Sequence, residues 1–200
     1  MSTINDISLL DLNKKYSYAD YLTWSIRERL ELINGGIYQI FITPSTLHQK
    51  ISSLLLKEIF KTLGEQSCQV FHAPFDVRLP KKEMENQQIF TVVQPDICII
   101  CDHTKIDDKG CIGAPDLIIE ILSPGNTSKE MKNKFEAYEE SGVREYWLIE
   151  PQDKAVLIFV LENGKFIGKR PMVEEETLQS FIFPDLKIDL QPLFRKAYSN

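Results

Sequence analysis

The sequence contains no apolar run approaching the roughly 20 residues that a membrane-spanning helix needs. Its first fifteen residues also lack the basic-then-apolar layout of a secretory signal. Four cysteines in 200 residues are too few for a disulfide-built scaffold. We therefore expect a soluble, cytoplasmic protein that makes no membrane contact and keeps its thiols reduced, packed as small hydrophobic side chains.

Positive charge is scarce as well. The chain has 23 Lys and Arg against 29 Asp and Glu, so its formal net charge is −6. This balance argues against a protein that coats nucleic acid by neutralising phosphates. It does not exclude a nuclease, because carboxylates that hold metal ions contribute negative charge that the ions offset. The sequence also lacks a glycine-rich nucleotide loop, a hydrolase elbow serine and a cysteine–histidine nucleophile pattern.

The remaining composition, 43% hydrophobic and 26% charged residues, suits one globular domain with a sizeable core. We place this domain at residues 17–195. Residues 1–16 form an N-terminal extension and residues 196–200 a C-terminal tail in this interpretation.

Hydrophobic periodicity predicts an α/β fold. The predicted helices are 17–26, 46–63 and 128–141. The predicted hairpins are 29–42 around Asn34-Gly35-Gly36 and 155–173 around Asn163-Gly164. Further strands are expected at 70–71, 75–79, 90–101, 116–122 and 144–149, with 90–101 and 116–122 at the centre of the sheet. The segments 81–88 and 102–113 are typical of polar loops, and prolines limit regular structure in 186–194. A strand, a helix and a strand over 116–149 predict a crossover unit in a mixed sheet flanked by helices.

Two acidic residues interrupt these apolar strands: Asp96, after Pro95, and Glu120. An unpaired carboxylate in a buried strand is costly, so each needs lysine, a metal ion or both as a partner. If the two strands are neighbours in register, Asp96 and Glu120 converge within reach of one ion, and Mg²⁺ favours few carboxylates plus waters and phosphate oxygens. Such an ion can activate water for phosphoryl chemistry, and Lys134 or Lys132 on the next helix could stabilise the developing charge.

The surrounding residues resemble the Uma family, within the PD-(D/E)XK restriction-endonuclease-like superfamily. The matching segments are Pro95-Asp96, 118–124, 134–138 and 142–149, together with Glu31 before the Asn-Gly-Gly turn and the helix start at 44–48. The resemblance spans about residues 17–194. It implies a restriction-endonuclease-like fold and an endonuclease that hydrolyses DNA with Mg²⁺, for which Mn²⁺ can substitute. It also implies that Asp96, Glu120 and the carbonyl of Ile121 bind the metal and that Glu31 is an additional acid at the site.

The sequence departs from the superfamily motif at one position, since the lysine expected two residues after the acid is Leu122. An aliphatic side chain cannot replace an ammonium group. The resemblance points to Lys134 as the equivalent, beside an apolar helical stripe. Lys132 and Lys129 lie on other faces of the same helix.

Each candidate also has a structural interpretation. Asp96 could satisfy backbone donors where a strand begins, and Glu120 with Lys134 could form a buried ion pair. Glu31 could be solvated, and His48 could make a polar contact at a helix start rather than act as a base. The alternative function is therefore a non-catalytic DNA- or protein-binding module that retains the fold.

Three further points complete the expectations. Cys98 and Cys101 lie three residues apart on one strand and face opposite sides, which disfavours a zinc site. RNA is an alternative substrate that the sequence does not separate from DNA. A homodimer is expected, since cutting both strands of a duplex needs two sites.

Overall fold

The computed structural model describes residues 4–39, 45–63, 68–81 and 85–199. Within these ranges, three β-sheets are flanked by four α-helices. The helices are α1 (Tyr18–Tyr21), α2 (Thr46–Leu63), α3 (Ser128–Ser141) and α4 (Leu190–Tyr198). The strands are β1 (Leu30–Ile33), β2 (Gly36–Gln39), β3 (Gln69–His72), β4 (Val77–Arg78), β5 (Val92–Val93), β6 (Ile97–Ile100), β7 (Ile106–Asp107), β8 (Gly110–Ile112), β9 (Leu117–Ile121), β10 (Glu145–Glu150), β11 (Ala155–Glu162), β12 (Lys165–Gly168), β13 (Met172–Val173), β14 (Thr177–Gln179) and β15 (Lys187–Asp189). The predicted α/β class, with mixed sheets, flanking helices and hairpins, is confirmed.

The larger sheet has the strand order β12-β11-β10-β9-β6-β3, and β13 also pairs with β11. Strands β9 and β10 are parallel and are joined by α3, which confirms the predicted crossover unit. Strand β6 runs antiparallel to β9, with Ile97 opposite Ile119 and Cys98 opposite Ile118. Apolar side chains of α2 and α4 cover one face of this sheet, and those of α3 cover the other. Strands β6 and β9 are therefore buried on both sides, as their continuous apolar sequence predicts.

The second sheet has the order β2-β1-β5-β4-β8-β7. The prediction of one strand over 90–101 is wrong, because β5 belongs to this sheet and β6 to the larger one. Between them, Pro95 has no N–H for a ladder, and the N–H of Gln94 donates to the carboxylate of Glu31 instead of to a strand. The chain thus crosses from one sheet to the other at Gln94–Asp96.

Both hairpins form where the Asn-Gly pairs predict them. Asn34 and Gly35 have φ values of 51° and 81°, and Asn163 and Gly164 have 51° and 76°. Positive φ at both central residues is the conformation of a type I′ turn, which favours Asn-Gly. The predicted residues 40–42 of the first hairpin lie outside the described ranges.

The other predicted elements agree with the structure to different degrees. Helices α2 and α3 have the predicted limits, but the first helix ends at Tyr21 instead of residue 26. The segment 102–113, predicted as a loop, contains the hairpin β7–β8. Glycine is required at position 110 (φ 118°), because a Cβ there would lie 2.1 Å from the carbonyl oxygen of Asp76. The prediction that prolines limit regular structure in 186–194 is wrong, because β15 and the start of α4 lie there. Pro192 is tolerated in the first turn of α4, where a missing N–H breaks no helical hydrogen bond. Of the loop predicted at 81–88, residues 82–84 lie outside the described ranges.

Residues from both ends of the chain contribute to the core. Leu10 and Tyr16 pack with β1 and β5, and Ala197 packs in the larger core. Helix α4 extends to Tyr198, beyond residue 195. In the described part of the chain, no helix is long and apolar enough to cross a membrane.

The expectation of four reduced thiols is wrong for one pair, because Cys68 and Cys101 form a disulfide. The two cysteines are 33 residues apart in the sequence, so no local pattern predicts that they pair. It arises because Gln69 pairs with Ile100, so the next positions outward, Cys68 and Cys101, face each other across β3 and β6. Cys98 and Cys111 are buried free thiols.

Candidate active site

The candidate site lies where the two sheets meet. Continuing the register of β6 and β9 by one residue places Asp96 opposite Glu120. Strand β1 of the second sheet contributes Glu31, and helix α3 contributes Lys134. Ion pairs join Lys134 to Glu31 and Glu120, and the strand register places Asp96 beside Glu120. The structure thus brings together the four side chains proposed from the sequence.

Lys134 links the acids from the two sheets. Its Nζ lies 3.0 Å from Oε1 of Glu31 and 3.0 Å from Oε1 of Glu120. The side chain points inward because Lys134 shares the buried face of α3 with Ala137 and Tyr138. Burial opposes a charge on Lys134, but the two carboxylates outweigh this effect and raise the pKa of its ammonium. Lys134 is therefore a buried, charged cation.

The other two lysines considered for this role lie elsewhere. Lys132 is exposed and pairs with Glu136 one helical turn away, at 3.7 Å. Lys129 is exposed at the start of α3. Of these three lysines, Lys134 alone faces the acids.

Glu120 is held from the same helix by a second donor. The hydroxyl of Tyr138 donates to Oε1 of Glu120 at 2.6 Å, the same oxygen that contacts Lys134. Burial raises the pKa of Glu120 to about 7, with Lys134 opposing and Asp96 and Glu31 adding to the rise. One lysine therefore faces three neighbouring carboxylates, and burial favours a bound proton on Glu120.

Glu31 is fully buried, with 0% of its surface exposed, so the solvated alternative is wrong. Its Oε1 accepts a hydrogen bond from the N–H of Gln94 at 2.7 Å in addition to the contact with Lys134. Its Oε2 is buried without a hydrogen-bond partner among the described residues. A buried carboxylate oxygen without a donor is costly, which is characteristic of functional sites rather than of optimised cores.

Asp96 is held at the start of β6 by backbone and side-chain partners. Its Oδ2 accepts the N–H of Ile121 at 2.8 Å and lies 3.1 Å from Nε2 of His48. Burial opposes a charge on His48, but Asp96 and Glu120, with the backbone of Ile121, outweigh it and raise the pKa of the imidazole. His48 therefore belongs to the same charged network. The metal-binding role of the Ile121 carbonyl stays a prediction.

A cleft of about 290 Å³ opens onto this network. Asp96, Glu120, Lys134 and His48 line it, while Glu31 lies outside its wall. The remaining wall is mostly polar and comes from β2, the 94–96 crossing and the start of α3. Its residues are Arg29, Ile37, Tyr38, Gln39, Gln94, Ile121, Ser123, Gly125, Asn126, Thr127 and Glu130.

Two carboxylate oxygens at this cleft are available to bind a cation. Oδ1 of Asp96 and Oε2 of Glu120 make no hydrogen bond or ion pair with any residue that the structure describes, whereas their sister oxygens are engaged. No group of three or more His, Cys, Asp or Glu side chains in the described ranges is arranged to hold a metal. A pair of carboxylates suits Mg²⁺, which retains waters and binds substrate phosphates, better than zinc or calcium.

Sequence reasoning missed three residues of this site: Tyr138, Gln94 and Arg29. Tyr138 had a detectable signal, since it lies four residues after Lys134 and therefore on the same helical face. Gln94 and Arg29 had none. They meet only because β1 pairs with β5, about 60 residues further along the chain.

An acid–lysine cluster at the junction of mixed sheets, beside a polar cleft, defines a protein with a nuclease-like α/β fold. Residues 18–191 match the Uma2 family, described as "Putative restriction endonuclease". The chain belongs to this family, which confirms the resemblance seen in the sequence.

Two further proteins are similar to this chain, one in sequence and one in fold. The uncharacterized protein slr1290 of Synechocystis sp. is 26% identical over 137 residues, which cover 68% of each chain. A crystal structure from Anabaena variabilis, titled as a "putative nuclease belonging to DUF820", superimposes with a TM-score of 0.69 at 20% identity. The match covers 91% of the present chain and 99% of the other. At this identity, the second comparison shows a shared fold.

Proposed function

We propose that this protein is a Mg²⁺-dependent endonuclease that hydrolyses phosphodiester bonds of DNA. The observation that carries the proposal is the position of Lys134, whose Nζ lies 3.0 Å from Glu120 in the cleft that Asp96 also lines. The membership of a family described as "Putative restriction endonuclease" and the fold shared with the Anabaena variabilis "putative nuclease" support the same activity.

Asp96 and Glu120 would hold the ion through Oδ1 and Oε2, the two oxygens that no described residue engages. A bound Mg²⁺ supplies Lewis-acid activation of water and neutralises charge at the phosphoryl group. His48 and the N–H of Ile121 keep Asp96 oriented toward the cleft, and Tyr138 does the same for Glu120. The protein thereby presents two fixed carboxylates.

Lys134 would supply the ammonium group that Leu122 cannot. At the cleft wall, its Nζ can donate a hydrogen bond to the attacking water or to a phosphoryl oxygen that gains negative charge. Glu31, buried behind it, holds Lys134 in place and in its charged form. Hydrolysis adds one water across a P–O bond and gives a phosphate monoester and a hydroxyl group, so no other reactant is consumed.

The test is cleavage of supercoiled plasmid and of a labelled duplex with Mg²⁺, Mn²⁺ or EDTA. We expect cleavage with either metal and none with EDTA. Asp96→Ala and Glu120→Gln should each abolish it, while Asp153→Ala, which changes an exposed carboxylate away from the cleft, should leave it intact. Equal cleavage by Asp96→Ala would refute the assignment. Linear rather than nicked plasmid would support the proposed homodimer, because double-strand cleavage needs two sites.

A second candidate is a non-catalytic binding module that retains the fold. The observation that favours it is the double engagement of Glu120 Oε1 by Lys134 and Tyr138, which is also what a structural ion pair would show. Calorimetric titration with Mn²⁺ discriminates the two. Millimolar or tighter binding that disappears in Asp96→Ala supports the endonuclease, whereas no carboxylate-dependent binding supports the module.

A further inference from the structure

Among the described residues that line the cleft, the side chains with a permanent positive charge are Arg29 and Lys134. Lys134 is already neutralised by Glu31 and Glu120. Arg29 makes no ion pair within the part of the chain that the structure describes, even though acids outnumber bases in this protein. A phosphate entering the cleft would therefore meet one uncommitted cation.

Arg29 is held in place by a neutral group. Its Nε donates to Oε1 of Gln94 at 3.0 Å, and Nε2 of Gln94 donates to Oδ1 of Asp76 at 2.8 Å. Asp76 also accepts a hydrogen bond from the hydroxyl of Tyr18 at 3.3 Å. Because Asp76 accepts from the NH₂ end of the Gln94 amide, the amide oxygen faces Arg29.

The support leaves the binding face of the guanidinium free. Nη1 and Nη2 of Arg29 donate to none of the described residues, and a neutral amide does not cancel their charge. The planar fork of arginine suits two parallel hydrogen bonds to a phosphate, a geometry that lysine does not reproduce.

We infer that Arg29 is the side chain that binds a backbone phosphate of the DNA strand in this cleft, and that Gln94 and Asp76 position it. The inference rests on the proposed function, since it names how the substrate of that reaction is held. Gln94 lies two residues before Asp96, so the same crossing segment connects the phosphate-binding group with the metal-binding carboxylate.

Arg27 offers a matched control. It is exposed, lies two residues before Arg29 and does not line the cleft. Arg27→Ala therefore removes the same charge from the same segment without removing the proposed contact.

The experiment measures the anisotropy of a labelled DNA duplex in EDTA at several salt concentrations, and separately the cleavage kinetics with Mg²⁺. We expect Arg29→Ala to weaken binding and raise KM about tenfold, and to reduce the slope of log K against log salt by about 0.9, the value for one lost phosphate contact. Arg29→Lys should have a DNA affinity and a KM between those of wild type and Arg29→Ala. Arg27→Ala should bind and cleave within about twofold of wild type.

A second variant keeps the inference testable if Arg29→Ala fails to fold. Gln94→Leu removes the support of Arg29 while leaving the guanidinium and the backbone N–H of residue 94 in place. It should raise KM in the same direction by a smaller factor. Thermal melting identifies any variant that has lost its fold.

The failure of this inference is distinguishable from the failure of the proposed function. If wild type cleaves DNA and folded Arg29→Ala matches Arg27→Ala in binding and KM, the inference is wrong and the endonuclease assignment stands. If wild type does not cleave but Arg29→Ala alone loses DNA affinity, the assignment of catalysis is wrong and the phosphate contact stands.

Discussion

The imidazole of His48 lies 3.1 Å from Asp96, measured from Nε2 to Oδ2, and so connects helix α2 with the start of β6. His48 is 6% exposed, and its Nδ1 is buried without a hydrogen-bond partner among the described residues. The position of the proposed metal-binding carboxylate therefore depends on a helix from the opposite side of the sheet to α3.

His48→Ala should reduce DNA cleavage. We expect a loss of about tenfold in kcat/KM, because one net hydrogen bond of about 1–1.5 kcal/mol no longer restrains Asp96. Steady-state cleavage of the labelled duplex measures it. His103→Ala is the control, since His103 is exposed on another loop. Unchanged kcat/KM in His48→Ala would mean that the imidazole does not position the carboxylate.

Lys134→Met should destabilise the protein as well as inactivate it. Removing the cation leaves Glu31 and Glu120 buried without their partner, a change that typically costs about 3–5 kcal/mol. Urea unfolding gives the free energy of unfolding. The double variant Glu31→Gln/Lys134→Met should recover part of the stability but none of the cleavage, which separates the structural role of Lys134 from its proposed catalytic role. Cleavage by either variant at the wild-type rate would contradict the proposal.

Tyr138→Phe should lower stability through Glu120. Above pH 7, where Glu120 is ionised, the hydroxyl donates to a charged group, and such bonds contribute about 1.5–3 kcal/mol. Tyr146→Phe is the matched control, because this buried tyrosine lies on the same side of the sheet and its hydroxyl makes no hydrogen bond with the described residues. Chemical denaturation of both variants tests the difference, and equal losses would show that the Tyr138 hydroxyl contributes nothing specific.

Rising pH should destabilise the metal-free protein. The pKa of Glu120 is raised from 4.5 to about 7 by burial and by the nearby acids. The folded state therefore keeps a proton that the unfolded chain releases, so this stabilisation is complete below pH 4.5 and is lost as pH rises to about 7. The raised pKa of His48 acts in the same direction. We expect a loss of a few kcal/mol across this range, measured by urea unfolding.

Two further measurements test whether this pH dependence comes from Glu120. Glu120→Gln should lack most of the slope between pH 4.5 and 7, because the amide does not titrate. Mn²⁺ affinity should change in the opposite sense and rise with pH, since the ion competes with the proton for the carboxylate. A Mn²⁺ affinity that is constant from pH 5.5 to 8 would argue against Glu120 as a ligand.

Reduction of Cys68–Cys101 should lower the melting temperature. The bond joins edge strand β3 to β6, and disulfides typically contribute about 2–4 kcal/mol. Calorimetry with and without dithiothreitol measures the effect, and Cys68→Ser should show no response to the reductant. Burial raises the pKa of Cys111 to about 12, and that of Cys98 also rises, so neither thiol should react in the folded protein.

Local sequence signals predicted those parts of the fold that depend on neighbouring residues. Helical periodicity gave the limits of α2 and α3, and Asn-Gly pairs gave both hairpins, because these features are decided within one turn or one helix. The break at Gln94–Asp96 was missed because Val92 and Ile100 have the same apolar character although they pack in different sheets. Helix α4 was missed because a proline was interpreted without regard to its place in the first turn.

The candidate site likewise contains residues that local sequence signals predict and residues that they do not. Asp96 and Glu120 were detectable as charges in apolar strands, and Lys134 by its place on the apolar stripe of α3. The contacts of Gln94 with Glu31, Asp76 and Arg29 depend on strand pairings between distant segments, and no local pattern records them.

The crossing at Gln94–Asp96 also bears on the order in which the protein matures. Glu31 belongs to one sheet and Glu120 to the other, so their common partner Lys134 can contact both only after the two sheets have docked. A refolding chain in which only one of the two sheets has formed would lack the site. We therefore expect cleavage activity to appear only when the tertiary structure is complete. Incompletely folded chains would then leave DNA intact.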